Sequence, residues 1–379
     1  MAPMLPAPRS DAASLADVLS GALASLTAQP SRLALPPARS AAVLLADGLG
    51  MSALRARAGH ARRLLAAIPA HGGVIDAGFP TTTASALASL TTGLASGQHG
   101  MVGYTVRDPQ RDGVVQQLGT WPADLDPVLW QSHATLFESA RAAGIDAVVV
   151  AASRYRDTAF TDAVLRGARF VIAPTIAERV EATIDLLGGA EPALVYTYVP
   201  ELDMAGHASG AESTAWLTAL EQLDAALDAL TRLPRGAGAL LTADHGMIDV
   251  PAHARLVVPA ESELWRGVRH VAGEPRCLQL HVESAAELAG VLERWRTAES
   301  ARAWVVTRDE AIAAGWFGGP VDDRVLPRIG DVLVAARARI AYYDERQATP
   351  RSLAMVGQHG SLSPEELRIP LARWGAFAS

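Results

Sequence analysis

Residues 41–50 read AAVLLADGLG, an apolar run that ends in Asp47 and is followed by Gly48 and Gly50. A run with no polar alternation suits a strand buried on both faces. The same texture returns as DAVVVAA near Val149, RFVIA near Val171, ALVYTYV near Tyr196 and ALLTAD near Leu241. Between these runs lie HATLFESARAAG, TIAERVEATIDLLG and STAWLTALEQLDAALDALTRL, which have the length and spacing of helices. Buried strands alternating with helical crossovers predict an α/β fold, a three-layer sandwich around a mostly parallel sheet.

Upstream, SDAASLADVLSGALASLTA over residues 10–28 places Leu, Val and Ala at helical spacing before Pro30, Pro36 and Pro37 interrupt it. The reading is an N-terminal helix and linker over residues 1–39. Beyond Asp249 the texture changes to shorter strand-like pieces, CLQLHV, AWVVT, DVLVAA and IAYY, around the helical AAELAGVLERWRTA. Residues 255–345 are therefore expected to form a smaller α+β cap above the site, inserted into a core made of residues 40–254 and 346–379.

The 379 residues are 50% hydrophobic, which excludes a disordered chain. A net charge of −7, with no basic block to track a phosphate backbone, argues against a nucleic acid polymer as partner. The single Cys277 has no partner for an internal disulfide, and PRCLQLHV reads as a strand with Cys as a small hydrophobe. The start of the chain lacks a charged region followed by an apolar one, and no stretch reaches the roughly 20 apolar residues of a membrane span. A cytoplasmic protein with no membrane contact is the expectation.

Chemistry-bearing residues collect in five short stretches. Asp47 should stand at the carboxyl end of its strand, where open α/β sheets place ligands, although Asp there also caps helices. Asp244 and His245 repeat the arrangement after ALLTA, as a ligand pair or as a hydrogen-bonded structural couple. Asp203 and His207 stand four apart in PELDMAGH, the spacing of one helical face, but Gly206 and Gly210 favour a loop or a single turn over a regular helix. His359 lies between Gly357 and Gly360; a lone His is more often structural. Thr81, Thr82 and Thr83 follow Pro80 and open a small-residue helix. A hydroxyl there caps the helix, or attacks an electrophile held by the free amides; a free alcohol needs activation by a base or a metal to do so.

Taken in order and with their contexts, ADG, PTTT…TTG…HG, ELD..GH, ADHGM and GQHG resemble the alkaline phosphatase superfamily, and within it the nucleotide pyrophosphatase/phosphodiesterase branch. The resemblance covers roughly residues 40–250 and 354 to the end. It implies an alkaline phosphatase-like core and two divalent metal ions, zinc by preference. One ion would be held by Asp203, His207 and His359, the other by Asp47, Asp244 and His245, with Thr83 bridging towards the second as nucleophile. Counting back from Thr92 and Gly93 favours Thr83 over Thr82, which is the fallback. The branch commonly has an Asn after HG.VG that binds a phosphate oxygen; Tyr104 stands there and is the expected substrate-binding residue. The Ala and Ser after Thr83 replace the branch's usual aromatic and Asn residues, which leaves the substrate subclass broad.

The function so implied is hydrolysis of phosphodiester or pyrophosphate bonds in a small-molecule ester or nucleotide through a phospho-threonine intermediate. A phosphomonoesterase or phosphonate hydrolase of the same superfamily is the alternative, and a non-catalytic metal-binding scaffold the alternative of another class. A purely structural zinc has no use for an open coordination position or a placed Thr, which counts against the scaffold.

Overall fold

The computed structural model describes residues 5–9 and 12–378. Its central sheet has six strands in the spatial order Ala372–Gly375, Ala237–Thr242, Ser40–Ala46, Ala193–Val199, Asp146–Ala151 and Arg169–Ile172. The last five are mutually parallel; Ala372–Gly375 runs antiparallel on the edge. Every residue of Ser40–Ala46, Ala193–Val199 and Ala237–Thr242 is buried, as their unbroken apolar runs require of strands covered on both faces. Helices Ile176–Leu187 and Thr214–Ala226 pack as one layer, and Ala16–Leu26, Thr83–Thr92 and Leu136–Ala142 as the other. The α/β sandwich with a mostly parallel sheet is thus the observed architecture. The antiparallel edge strand carries no signal in its short ARWG segment and forms by pairing along Ala237–Thr242.

A second six-stranded sheet has the order Ala303–Thr307, Val332–Ala336, Cys277–Val282, Val268–Glu274, Thr105–Asp108 and Gly113–Gln116, with antiparallel pairing. It draws four strands from residues 255–345 and two from the hairpin at 105–116. Cys277 is buried and free within it. The piece read as IAYY forms Ala341–Asp344 and pairs with Arg255–Val258 in a separate two-stranded ribbon. Among the described residues no helix is long and apolar enough to cross a membrane.

The segment Glu201–Ser209 corrects the expectation of a loop or single turn: it is a nine-residue helix. Gly206 does not break it, because tertiary packing demands a residue without a Cβ there. An added Cβ would meet Met247 Sδ at 2.4 Å. Gly210 ends the helix, at φ +88°.

Candidate active site

Three strands that are neighbours in the sheet end side by side, and each delivers part of the site. Ser40–Ala46 is followed at once by Asp47, whose backbone N–H donates to Val199 O at 2.9 Å. Ala237–Thr242 leads to Asp244 and His245. Ala193–Val199 runs into the helix Glu201–Ser209, which presents Asp203 and His207 one turn apart. The turn after Asp47 is tight: Gly48 has φ +73°, and a Cβ on it would lie 3.1 Å from Asp203 Cα.

His359 arrives from the far end of the chain. Gly357–Gln358 pairs antiparallel with Ile248–Asp249, so the residue after Gln358 lands beside the Asp244–His245 turn. The His359 and His245 rings stack at 3.7 Å between centroids and 19° between planes.

The ligand-type atoms converge. Asp203 Oδ1 lies 3.3 Å from His207 Nε2 and 3.9 Å from His359 Nε2, and the two imidazole Nε2 atoms are 3.2 Å apart. His245 Nε2 is 3.1 Å from Asp244 Oδ2, 3.7 Å from Asp47 Oδ1 and 3.2 Å from Thr83 Oγ1. The two groups interleave, since ligand atoms of Asp203, His245 and His359 also lie within 4.8 Å of one another. The six residues expected as metal ligands and Thr83 therefore meet in one place.

Hydrogen bonding fixes which way each ring faces. His207 Nδ1 donates to Gly357 O at 2.8 Å, His359 Nδ1 to Thr81 O at 2.8 Å and His245 Nδ1 to Gly246 O at 3.1 Å. A carbonyl only accepts, so each Nδ1 carries a proton and each ring turns its Nε2 into the cluster. Burial holds His245 down at about 3 and His359 well below the ordinary imidazole value, which keeps both in this ligand form.

The carboxylates are in the opposite condition. Burial, with repulsion from Asp244 and Asp203, raises Asp47; burial raises Asp203 to about 6 and also raises Asp244. Asp244 Oδ1 accepts from the Gly48 and His245 amides at 3.0 and 2.9 Å, and Asp47 Oδ2 from the Tyr198 hydroxyl. Asp47 Oδ1, Asp203 Oδ1 and Asp244 Oδ2 are buried without a hydrogen-bond partner. Three orphaned carboxylate oxygens crowd against three imidazole Nε2 atoms, the oxygen and nitrogen donor set that a divalent cation between them would satisfy. The residues present fit divalent metal.

The three threonines divide their work. Thr83 is the first residue of helix Thr83–Thr92, where amides lack intrahelical acceptors, and its hydroxyl reaches His245. Thr82 caps that helix by backbone conformation, in the extended region, with no side-chain capping bond. Thr81 is a hub: Oγ1 donates to Ser361 O at 2.8 Å and accepts from Gly360 N at 3.0 Å, while its carbonyl holds His359. Tyr104 uses its backbone N–H on Glu274 Oε2 at 3.1 Å, and its hydroxyl accepts from Gln116.

Sequence reasoning missed Tyr198, the Thr81 hub and Glu274, whose carboxyl burial pushes up to about 8. It also missed the buried pair Arg276–Glu366, which braces the loop carrying His359. Tyr198 had a signal, a polar-tipped aromatic in an apolar strand; the others had none within their own segments.

The sequence profile described as type I phosphodiesterase / nucleotide pyrophosphatase matches residues 41–362, most of the chain. The chain belongs to this family. It thereby falls in the alkaline phosphatase superfamily, and the family assignment supports a phosphoric ester hydrolase. No curated protein matches the sequence. Among solved structures, murine ectonucleotide pyrophosphatase/phosphodiesterase 5 is similar at TM-score 0.68 and 16% identity, covering 89% of this chain and 88% of that one. Phosphonoacetate hydrolase from Sinorhizobium meliloti 1021, in complex with phosphonoacetate, is similar at TM-score 0.68 and 18% identity, covering 89% and 91%. These likenesses establish the shared fold.

Proposed function

We propose that this family member is a two-metal hydrolase of phosphodiester or pyrophosphate bonds that works through a phospho-threonine intermediate on Thr83. One zinc would be held by Asp203, His207 and His359 and the other by Asp47, Asp244 and His245. Two bound dications supply charge neutralisation for the phosphoryl oxygens and lower the pKa of a coordinated hydroxyl or water. The observation that carries the reading is the set of orphaned carboxylate oxygens and inward imidazole nitrogens gathered around the one helix-start hydroxyl that faces them.

The chain's own residues do the rest. The Thr83 oxygen attacks phosphorus, the phosphorus–oxygen bond to the leaving group breaks, and water then cleaves the bond between Thr83 and phosphorus. The carbonyl anchors at Thr81, Gly246 and Gly357 keep the three imidazoles from rotating away. An inactive Thr-to-Ala variant of the murine relative has been solved with AMP, which supports both a threonine nucleophile and a nucleotide-type ester. Tyr104 in place of an amide side chain, and the likeness to phosphonoacetate hydrolase, favour phosphonate hydrolysis as the second reading.

The test is zinc analysis beside turnover of p-nitrophenyl phosphate, bis-p-nitrophenyl phosphate, a nucleoside 5'-phosphodiester and a phosphonate. Two zinc ions per chain with preference for diesters is the expected result. Preference for the monoester or the phosphonate moves the enzyme to the second reading, and stoichiometric zinc with no turnover leaves a scaffold.

A further inference from the structure

Residues 5–9 read LPAPR, and the two prolines decide their shape. Proline fixes φ near −65° and pushes the residue before it to extended or polyproline conformation, so Leu5 to Pro8 favour a polyproline II strand. Such a strand has no internal hydrogen bonds, which leaves its carbonyls free to accept. One of them is taken: Trp316 Nε1 donates to Pro6 O at 2.8 Å. Pro8 lies over Gly315, where an added Cβ would come within 3.5 Å of its Cδ. Arg9 then reaches an acid, with Nε at 3.2 Å and Nη2 at 2.8 Å from the Asp76 carboxylate oxygens. Grooves lined by aromatic rings are the usual seat of proline-rich ligands, because the polyproline strand is ordered before it binds. The segment is docked on the protein and is not part of its core. Ala7, Pro8 and Arg9 are exposed, and a cavity of about 160 Å³ separates residues 6–9 from Phe79, Trp316, Phe317 and Leu362, whereas packed interiors hold few voids larger than a water.

The groove is joined to the loops that carry the site. The Phe79 ring meets Trp316 and Phe317 edge to face, at 5.1 and 5.3 Å between centroids, and the chain runs from Phe79 through Pro80 into Thr81, Thr82 and Thr83. Asp76 pairs with Arg368 as well as Arg9, and their strands Val74–Asp76 and Arg368–Pro370 are antiparallel neighbours. The first strand leads into the Thr83 loop and the second follows the His359 loop. We propose that the Trp316 groove is a binding site for a proline-rich segment with a trailing arginine, that residues 5–9 are its resident ligand, and that their seating holds the Thr83 loop in register. Register matters to turnover only if Thr83 is the nucleophile, whereas the groove stands apart from that reading.

The experiment uses the full-length, zinc-loaded chain and a synthetic peptide of residues 2–11, APMLPAPRSD. Pro6→Ser combined with Pro8→Ser removes the preordered strand and should lower kcat for bis-p-nitrophenyl phosphate about 3–10-fold, the order of one hydrogen bond, with KM little changed. Added peptide should restore kcat, and the same peptide with both prolines replaced by serine should not. Trp316→Phe, which keeps an aromatic ring and deletes the indole N–H, should lower kcat without rescue by the peptide. A double variant with wild-type kcat, or one that the peptide fails to restore, overturns the inference while leaving the hydrolase intact. If no ester turns over, the proposed function fails instead, and calorimetry decides the groove. Peptide binding to the double variant at least about tenfold tighter than to wild type, whose groove its own segment fills, upholds it. Equal binding to the two, or none, overturns it.

Discussion

Arg276 and Glu366 are fully buried, and every N–H of the guanidinium has an acceptor: both Glu366 oxygens and the carbonyls of Ala336, Ala338 and Ile340. Glu366 also accepts from the Ser361 and Ser363 amides. At the carboxyl end of the parallel sheet, Asp47, Asp203 and Asp244 each keep an oxygen that nothing satisfies. Both regions bury ionisable groups. The first closes its electrostatics with protein atoms and serves as a brace; the second leaves a deficit of positive charge that only a ligand supplies. Completeness of hydrogen bonding separates a structural ion pair from a site.

The sharpest way to break this contrast is at Thr83. Thr83→Ala should lower turnover by more than about 10⁴-fold, equivalent to some 5.5 kcal/mol of barrier, with zinc content near wild type. A variant that keeps its rate removes the nucleophile from the site.

Next in size is the brace. Arg276→Met strands a buried carboxylate and should cost about 3–5 kcal/mol in urea unfolding, whereas Arg276→Met with Glu366→Leu should recover much of it. A single variant as stable as wild type would show that the brace carries no charge balance and that the two regions do not differ as argued.

The smallest effect is expected where the regions touch. Thr81→Val deletes the bonds to Ser361 O and Gly360 N but keeps the carbonyl that orients His359. Zinc affinity, read by chelator competition, should fall about 10–100-fold, and Thr81→Ser should restore it. Unchanged affinity in Thr81→Val would confine the metal ligands' support to the carbonyls.

Much of the fold was legible because buried parallel strands announce themselves as unbroken apolar runs, and the runs ending in Asp47 and before Asp244 appear as strands with those acids just past their ends. The helix at Glu201–Ser209 was not legible. Glycine propensity argued against it locally, and the reason it forms, close packing of Gly206 on Met247, comes from another segment. Tyr104 shows the same limit: the motif marks the position, while the partner of its hydroxyl, Gln116, is set by the hairpin that follows.

By itself the sequence determined which residue types stand at the strand ends, the alternation that builds a parallel sheet, and a motif order specific enough to indicate the family. Only the tertiary structure decided that Ala237–Thr242, Ser40–Ala46 and Ala193–Val199 are neighbours, that pairing of Gln358 with Ile248 brings His359 to them, and that the resulting pocket leaves its carboxylates short of partners. The physical reason is that chain-local patterns encode which face is buried and which backbone shape is favoured. Strand order, ring orientation and the balance of buried charge are set by contacts between segments hundreds of residues apart.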